Sequence, residues 1–96
     1  MPSIENKLES LGLVLPEPVK LPPDVVLPFA WVRVQGDRAY ASGHVALAPD
    51  GAIAEPRGKV GAELSQEEGY HSARLTALAM LASLKRELGE LDRIQA

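Results

Sequence analysis

The segment AYASGHVALAPDG, residues 39–51, places a hydroxyl, a glycine and an imidazole in succession at Ser42, Gly43 and His44. A serine beside a histidine could supply a nucleophile and its general base, but such a pair needs a third group that orients the base. On a strand Ser42 and His44 would share a face, and the sequence offers no orienting group beside them. A second interpretation is a ligand site in which both side chains form hydrogen bonds and Gly43 lets the ligand approach the backbone. The simplest alternative is a bend with polar residues at its edge.

Other reaction centres lack the residues that they require. His44 and His71 are the only histidines and fall on different predicted elements, and without cysteine they do not give the pattern of a zinc site. Gly58-Lys59 lacks the full spacing of a phosphate-binding loop. Glu67 and Glu68 stand at a predicted helix start, where the helix dipole already accounts for them. We therefore expect no metal, and the residues alone identify no catalytic group.

The composition is that of one small folded domain. The chain has 96 residues, of which 46% are hydrophobic and 24% charged, and its net charge of -3 disfavours a nucleic-acid partner. It has no cysteine, and its first residues, MPSIENKLES, lack the basic and apolar regions of a secretion signal. No apolar run approaches the roughly 18 residues of a membrane span. We expect a cytoplasmic protein with no membrane contact.

A short helix and an extended arm are predicted for the first 28 residues. Ser3 can cap a helix over residues 3–12, and Gly12 is a suitable C-terminal stop. Five prolines in residues 13–28 remove backbone donors and favour an extended segment over a central strand. This segment also carries apolar side chains that favour burial: Val19, Leu21, Val25, Val26 and Leu27. We therefore expect it to wrap along the domain.

Residues 29–47 are predicted to contain a β-hairpin with the turn Gly36-Asp37. Such a turn pairs Gln35 with Arg38 and Trp31 with Ser42, and paired residues share a face. One face is aliphatic and suits packing on a helix: Val32, Val34, Ala39 and Ala41. The other is amphipathic: Trp31, Arg33, Gln35, Arg38, Tyr40 and Ser42, with Phe29 and His44 in line if pairing continues. We expect this second face to meet a ligand or another subunit, the alternative being a merely exposed face with a few aromatic residues.

A loop over residues 48–64 leads to the main helix, with brief strands expected around residues 45–47 and 59–60. Ser65 and Glu68 form a capping box and Gly89 is a suitable stop, so a helix is predicted over residues 65–89. Its core-facing side chains are expected to be those that recur every three or four residues: Tyr70, Ala73, Ala77, Leu81, Leu84 and Leu88, with Leu78 beside them. One helix on a small sheet leaves the other sheet face uncovered, which favours an oligomer.

The hairpin and the helix together resemble the RidA/YjgF family, also called endoribonuclease L-PSP-like. That family has a segment of the form PYSQGVRVGNLLFVSGQ, and PFAWVRVQGDRAYASGH, residues 28–44, aligns with it without a gap. Pro28, the Gly36-Asp37 turn, Tyr40 and the pair Ser42-Gly43 carry the match. Residues 58–94 are similar to the helical region of a longer-headed branch of the family, as is the opening LGLVLPEP. The resemblance thus covers nearly the whole chain.

The resemblance implies an α+β, chorismate-mutase-like fold assembled as a homotrimer, with ligand sites between subunits. Many members hydrolyse 2-enamine and 2-imine acids to 2-keto acids and ammonia without a metal or organic cofactor. An arginine in such members pairs with the substrate carboxylate, as a guanidinium suits a planar carboxylate. On this chain the implied ligand-binding residues are Phe29, Ser42, Gly43 and His44. The implied ligand is a small 2-imino or 2-keto acid.

The sequence departs from the family pattern at several positions. Phe29 stands at the family's tyrosine, Ala30 at its serine, and His44 at the glutamine that follows Ser-Gly. Family members continue beyond the long helix into the segment with the carboxylate-binding arginine, so the fold is expected to be incomplete relative to the family. We do not assign that role to any arginine of the hairpin or of the first half of the helix: Arg33, Arg38 or Arg74.

Three functions follow, in order of preference. The first is RidA-like hydrolytic deamination by a single domain, residues 1–96, impaired by the short chain and with no catalytic residue assigned. The second is a non-catalytic module of the same family that binds a small ligand or supports assembly. The third is RNA cleavage, which the acidic composition disfavours.

Overall fold

The computed structural model of the chain describes residues 3–95 and shows a small α+β protein. Helix α1 spans Ser3–Ser10, strand β1 Val32–Gln35, strand β2 Arg38–Ala41 and helix α2 Gln66–Leu88, followed by a 3-10 helix at Leu91–Arg93. The two strands form a two-stranded antiparallel sheet. The α+β class is as predicted, and both helices lie within one or two residues of their expected bounds.

The hairpin has the predicted register. Gly36 takes a positive φ of 63° in the two-residue turn, a backbone angle that glycine adopts without steric cost. The strand pairs are those expected: Val32 with Ala41, Arg33 with Tyr40, Val34 with Ala39, and Gln35 with Arg38. One further backbone hydrogen bond, from Ser42 N to Trp31 O at 3.0 Å, extends the pairing by one residue. The alternation of faces therefore holds as far as Ser42.

Both predicted signals at the ends of α2 are present. Ser65 Oγ accepts from Glu68 N at 3.1 Å, and Glu68 Oε1 accepts from Ser65 N at 2.9 Å, so the capping box is complete. Gly89 ends the helix with φ at 90° and donates its N–H to Lys85 O at 2.8 Å. These local signals explain why the prediction located α2 correctly.

The predicted core face of α2 was wrong along its N-terminal half. The buried helix residues are Leu78, Ala79, Ala82 and Ser83, whereas Tyr70 is 66% exposed and Ala73 and Ala77 are also exposed. The reason is that the hairpin and the arm lie beside the C-terminal half only. Near the start of α2 the packing partner is Val60, next to Gly69.

The aliphatic face of the hairpin is only partly covered by α2. Val32 is 7% exposed, but Val34 is 40% exposed and Ala39 and Ala41 are exposed as well. A cleft of about 820 Å³ separates the end of the hairpin from the last turns of α2. Its apolar walls include Leu84, Leu88 and Ile94. The expected close packing of this face on a helix therefore holds at Val32 alone.

The proline-rich segment is docked as the expected arm only in its first half, because Leu21, Val25 and Val26, which were expected to be buried, are 41%, 44% and 88% exposed. Pro16 is buried, Glu17 N donates to Pro49 O at 2.9 Å, and Lys20 N donates to Gly51 O at 3.0 Å. Gly51 lies beneath the arm with φ at 90°, and a Cβ there would clash with Pro18 O. The arm thus requires glycine at position 51 for two reasons, backbone angle and space.

The loop before α2 contains no strand in the described residues. Leu47 forms a single antiparallel bridge to Ile53, and Val60 forms a single parallel bridge to Leu64. The expected short strands at residues 45–47 and 59–60 are thus reduced to isolated bridges. Turns at Gly51 and Gly61, both with positive φ, interrupt the chain before a second pair can form.

Hydrogen bonds join the two ends of the described chain, α1 and the 3-10 helix. The Asp92 carboxylate accepts from Ile4 N at 2.9 Å and from Ser3 Oγ at 3.0 Å, and it also accepts from Ser3 N. Glu5 Oε2 in turn accepts from Leu91 N at 3.0 Å. No residue of α1 is buried, so these polar contacts supply much of its attachment. The hydrogen bonds from Ser3 N and Ile4 N hold the pKa of Asp92 below its usual value.

Gly51→Ala should destabilise the protein by about 3 kcal/mol or more, since it combines positive-φ strain with a clash against the arm. Gly12→Ala is the matched control, because Gly12 has φ at 73° and a Cβ there would meet no atom within 4 Å. Backbone strain alone should cost roughly 1–2 kcal/mol there. Urea unfolding of both variants measures the difference, and equal losses would contradict the docked arm.

Asp92→Asn should lower the midpoint of urea unfolding at pH 7 but not at low pH. Because its folded pKa is lowered, the ionised Asp92 stabilises the fold above its unfolded pKa of roughly 3.9, and this contribution is lost as the pH falls through the folded value. The wild type and the variant should therefore converge once the pH has fallen below the lowered folded pKa of Asp92. The control is Asp24→Asn in the exposed part of the arm. A difference in unfolding midpoint between the wild type and Asp92→Asn that stays constant with pH would refute the stabilising role of the ionised Asp92 at the start of α1.

Candidate functional site

Three rings lie side by side at the base of the hairpin. The Phe29 and Trp31 centroids are 5.0 Å apart with the rings nearly perpendicular, and the Trp31 and His44 centroids are 4.9 Å apart. Both distances are in the range of favourable aromatic contacts. Phe29 is 48% exposed, so the row forms a surface wall that a ligand can reach. The sequence-predicted residues Phe29 and His44 are thus brought together through Trp31.

The hydroxyl of Ser42 is used within the hairpin. Its Oγ lies 3.2 Å from Ala30 O and 3.3 Å from Trp31 O, both of which can only accept. The single hydroxyl proton is therefore directed at the backbone of the opposite chain segment. Ser42 keeps only its oxygen lone pairs for a ligand.

Gly43 is the open position of the site. It is exposed, and nothing lies within 4 Å of the place that a Cβ would occupy. Its φ is not in the positive range, so neither backbone strain nor internal packing requires glycine here. A ligand could therefore reach the main chain at this point without displacing any side chain.

His44 lies against α2, where the sequence did not place it. Regular pairing stops at Ser42, so the alternation of faces that put His44 on the uncovered side of the hairpin does not reach it. The ring turns toward the helix, with Nε2 2.9 Å from Ser83 Oγ and Nδ1 2.7 Å from Ser42 O. The expectation that His44 lies off the helix-covered face was therefore wrong.

The hydrogen bonds of His44 define its protonation pattern. Ser42 O can only accept, so Nδ1 carries a proton, and in the neutral ring Nε2 accepts from the Ser83 hydroxyl. Ser83 Oγ also accepts from Arg86 Nη2 at 3.3 Å, and Arg86 Nη1 donates to Pro16 O at 3.3 Å. We call His44, Ser83 and Arg86 the His44 cluster. It links the loop after the hairpin, helix α2 and the arm.

Sequence reasoning missed Ser83 and Arg86. Ser83 is 6% exposed and follows Ala79 by one helical turn, on the buried row of α2. The sequence signal would have been a lone serine in a row of leucines and alanines. The neighbouring row, which ends in Leu81, Leu84 and Leu88, has the larger apolar side chains, and the periodicity therefore favours that row as the buried one.

A small pit lies among Trp31, His44, Ser83 and Arg86. Its volume is about 10 Å³, and Val19, Val45 and Leu47 complete its lining. A space of this size accommodates about one water-sized group. A whole organic acid does not fit inside it, so any such ligand would lie across its rim toward Gly43.

The described residues show no complete catalytic apparatus. Ser83 and His44 have the spacing of a nucleophile and base, but Ser83 is too buried for direct attack on a substrate. Within residues 3–95 no group of three or more histidine, aspartate or glutamate side chains is arranged to hold a metal ion. Among the same residues, no helix has the length and apolarity to cross a membrane.

Comparison with known proteins yields no match: no family model fits the chain, and neither a curated protein nor a solved structure is significantly similar to it. The resemblance carried by residues 28–44 therefore remains a hypothesis that rests on those residues.

Ser83→Ala should destabilise the fold by about 1–3 kcal/mol, because it leaves His44 Nε2 and one Arg86 N–H without their shared partner. Ser72→Ala on the same helix is the matched control, since it brings the same gain in helix propensity at a position outside the His44 cluster. Chemical denaturation compares the two. If both variants unfold alike, the cluster has no stabilising role.

Proposed function

We propose that the chain carries a RidA-like site for small 2-imino and 2-keto acids on a chorismate-mutase-like α+β scaffold. The observation that carries the proposal is the aromatic wall of Phe29, Trp31 and His44 beside the open backbone of Gly43. This wall lies on the same segment, residues 28–44, that resembles the family. An apolar wall beside free backbone groups suits a small planar acid.

The reaction proposed for this site is hydrolytic deamination. Water adds to the C2 carbon of the imine, the C–N bond breaks, and ammonia and a 2-keto acid leave, while an enamine first takes a proton at C3. No metal or organic cofactor takes part in this scheme. No side chain is assigned as the catalyst, because the accessible polar atoms of Ser42 and His44 already have partners within the chain.

The second candidate is binding without turnover. The hydrogen bonds that Ser42 and His44 already form within the chain favour this candidate. A base whose two ring nitrogens both have hydrogen-bond partners is not free to activate water. In this case the site would hold a 2-keto acid as a ligand, and the module would act through binding or assembly.

A homotrimer is part of the proposal. The accessible surface is 7031 Å², against about 5,400 Å² expected for a monomer of 10.3 kDa. The radius of gyration of 14.5 Å likewise exceeds the roughly 12.5 Å of a compact chain of this length. The excess surface is comparable to two standard interface patches of about 800 Å² each. Self-association would cover it.

Ammonia release from freshly generated 2-aminoacrylate tests the first candidate. We expect acceleration over the uncatalysed rate by the wild type and its loss in Gly43→Val, which puts a side chain at the open position, where a Cβ would meet no atom within 4 Å. His71→Ala, on the exposed surface of α2, is the control and should behave as the wild type.

Quenching of Trp31, the only tryptophan, measures pyruvate binding in the same samples. Binding without ammonia release would select the second candidate, and the absence of both would refute the site. A solution mass of a monomer alone would exclude the trimer.

A further inference from the structure

The cleft between the aliphatic face of the hairpin and the last turns of α2 is large enough to hold a small molecule. Its volume of about 820 Å³ lies within the range of about 300–1,000 Å³ that is typical of ligand sites. The cleft and the pit beside His44 have no lining residue in common, so they are separate places on the molecule.

The walls of this cleft are mainly aliphatic on both sides. Val34 is 40% exposed and Ile94 is 38% exposed, so both present apolar surface to water. An aliphatic chain lying in the cleft would remove this surface from water, which is favourable in proportion to the area covered. The aliphatic lining residues come from the hairpin, from α2 and from the segment that follows it: Val34, Ala39, Ala41, Leu84, Leu88 and Ile94.

The charged lining residues give the cleft an excess of positive charge. They are Asp37 and Arg38 beside the hairpin turn and Arg93 after α2, two cations and one carboxylate. Arg93 Nη1 donates to Leu88 O at 2.7 Å, which holds the guanidinium at the end of α2 and uses one of its five N–H groups. The ion pairs among residues 3–95 involve neither arginine. The lining therefore complements a ligand with one negative charge.

We propose that this cleft binds a single-chain anionic amphiphile, an unbranched aliphatic chain that ends in one anionic group. The chain lies between the aliphatic walls of the hairpin and α2, and the anion lies at the rim beside Arg93. A short acid lacks the chain that the walls require, and a neutral chain gains nothing from the excess positive charge. This site is independent of the proposed function, because it shares neither lining residues nor ligand class with it.

NMR titration of the full chain with decanoate, below the concentration at which decanoate forms micelles, tests the location and the chain. The methyl resonances of Leu84, Leu88 and Ile94 should shift, and the indole resonance of Trp31 should not, because Trp31 lines the pit and not the cleft. Octanoate is two methylenes shorter and should bind about tenfold more weakly, since each buried methylene contributes a factor of about four. Decyl phosphate in the same titration shows which anionic head group binds more tightly.

Variants of the lining test the charge and the space. Arg93→Gln should weaken decanoate binding by up to about fivefold, the effect of losing an exposed ion pair, and should leave the binding of neutral 1-decanol unchanged. Arg33→Gln is the control, because Arg33 is an exposed arginine of the hairpin outside the lining. Ala39→Phe puts a ring into the cleft and should largely remove the binding of both ligands. Gln35→Phe, on the same hairpin but outside the lining, should not.

Three results would overturn the proposal. Decanoate binding that Arg93→Gln leaves unchanged would overturn the anionic class of the ligand. The absence of methyl shifts at the cleft with either decanoate or decyl phosphate would overturn the site. Shifts of the same methyl groups that depend on protein concentration alone, with no effect of decanoate, would assign the cleft to a second copy of the chain instead.

Discussion

The hydrogen-bonded contact between His44, Ser83 and Arg86 is the interaction on which the arrangement of this protein depends. It joins the loop after the hairpin to α2, and through Pro16 O it joins the arm to both. Ser83 is a buried hydroxyl among leucines and alanines, so leaving its partners unpaired would be costly. The same contact turns His44 away from the open face of the hairpin and brings Arg86 to the aromatic wall. The His44 cluster therefore both joins three segments of the chain and orients side chains that border the candidate site.

Away from the His44 cluster, the hairpin and α2 are only partly packed against each other. The hairpin covers only the C-terminal half of α2, and its aliphatic face borders a cleft of about 820 Å³ rather than packed side chains. A two-stranded hairpin has little stability by itself and depends on such packing. The stable contacts are instead local or polar: the arm over Gly51, and the mutual capping between α1 and the 3-10 helix through Asp92 and Glu5.

Phe29 and His44 were expected in line with Trp31 if the hairpin pairing continued, but the pairing ends at Trp31 and Ser42. The Phe29 and His44 rings nevertheless each lie against the Trp31 ring. The orientation of His44 was not predictable, because it follows the last paired residue, where alternation gives no guidance. Arg86 was not predictable either, since its place at the wall depends on a bond to Ser83 and on the path of the arm past Pro16.

The sequence by itself determined the features that neighbouring residues control. The Gly36-Asp37 turn set the hairpin register, Ser65 with Glu68 set the start of α2, and Gly89 set its end, because each acts through hydrogen bonds or backbone angles within a few positions. Only the tertiary structure decided which row of α2 is buried and which groups surround His44. Helix α2 has two neighbouring rows of apolar side chains, and either row could be buried. Which row is buried depends on where distant segments of the chain dock, and local sequence patterns carry no information about that.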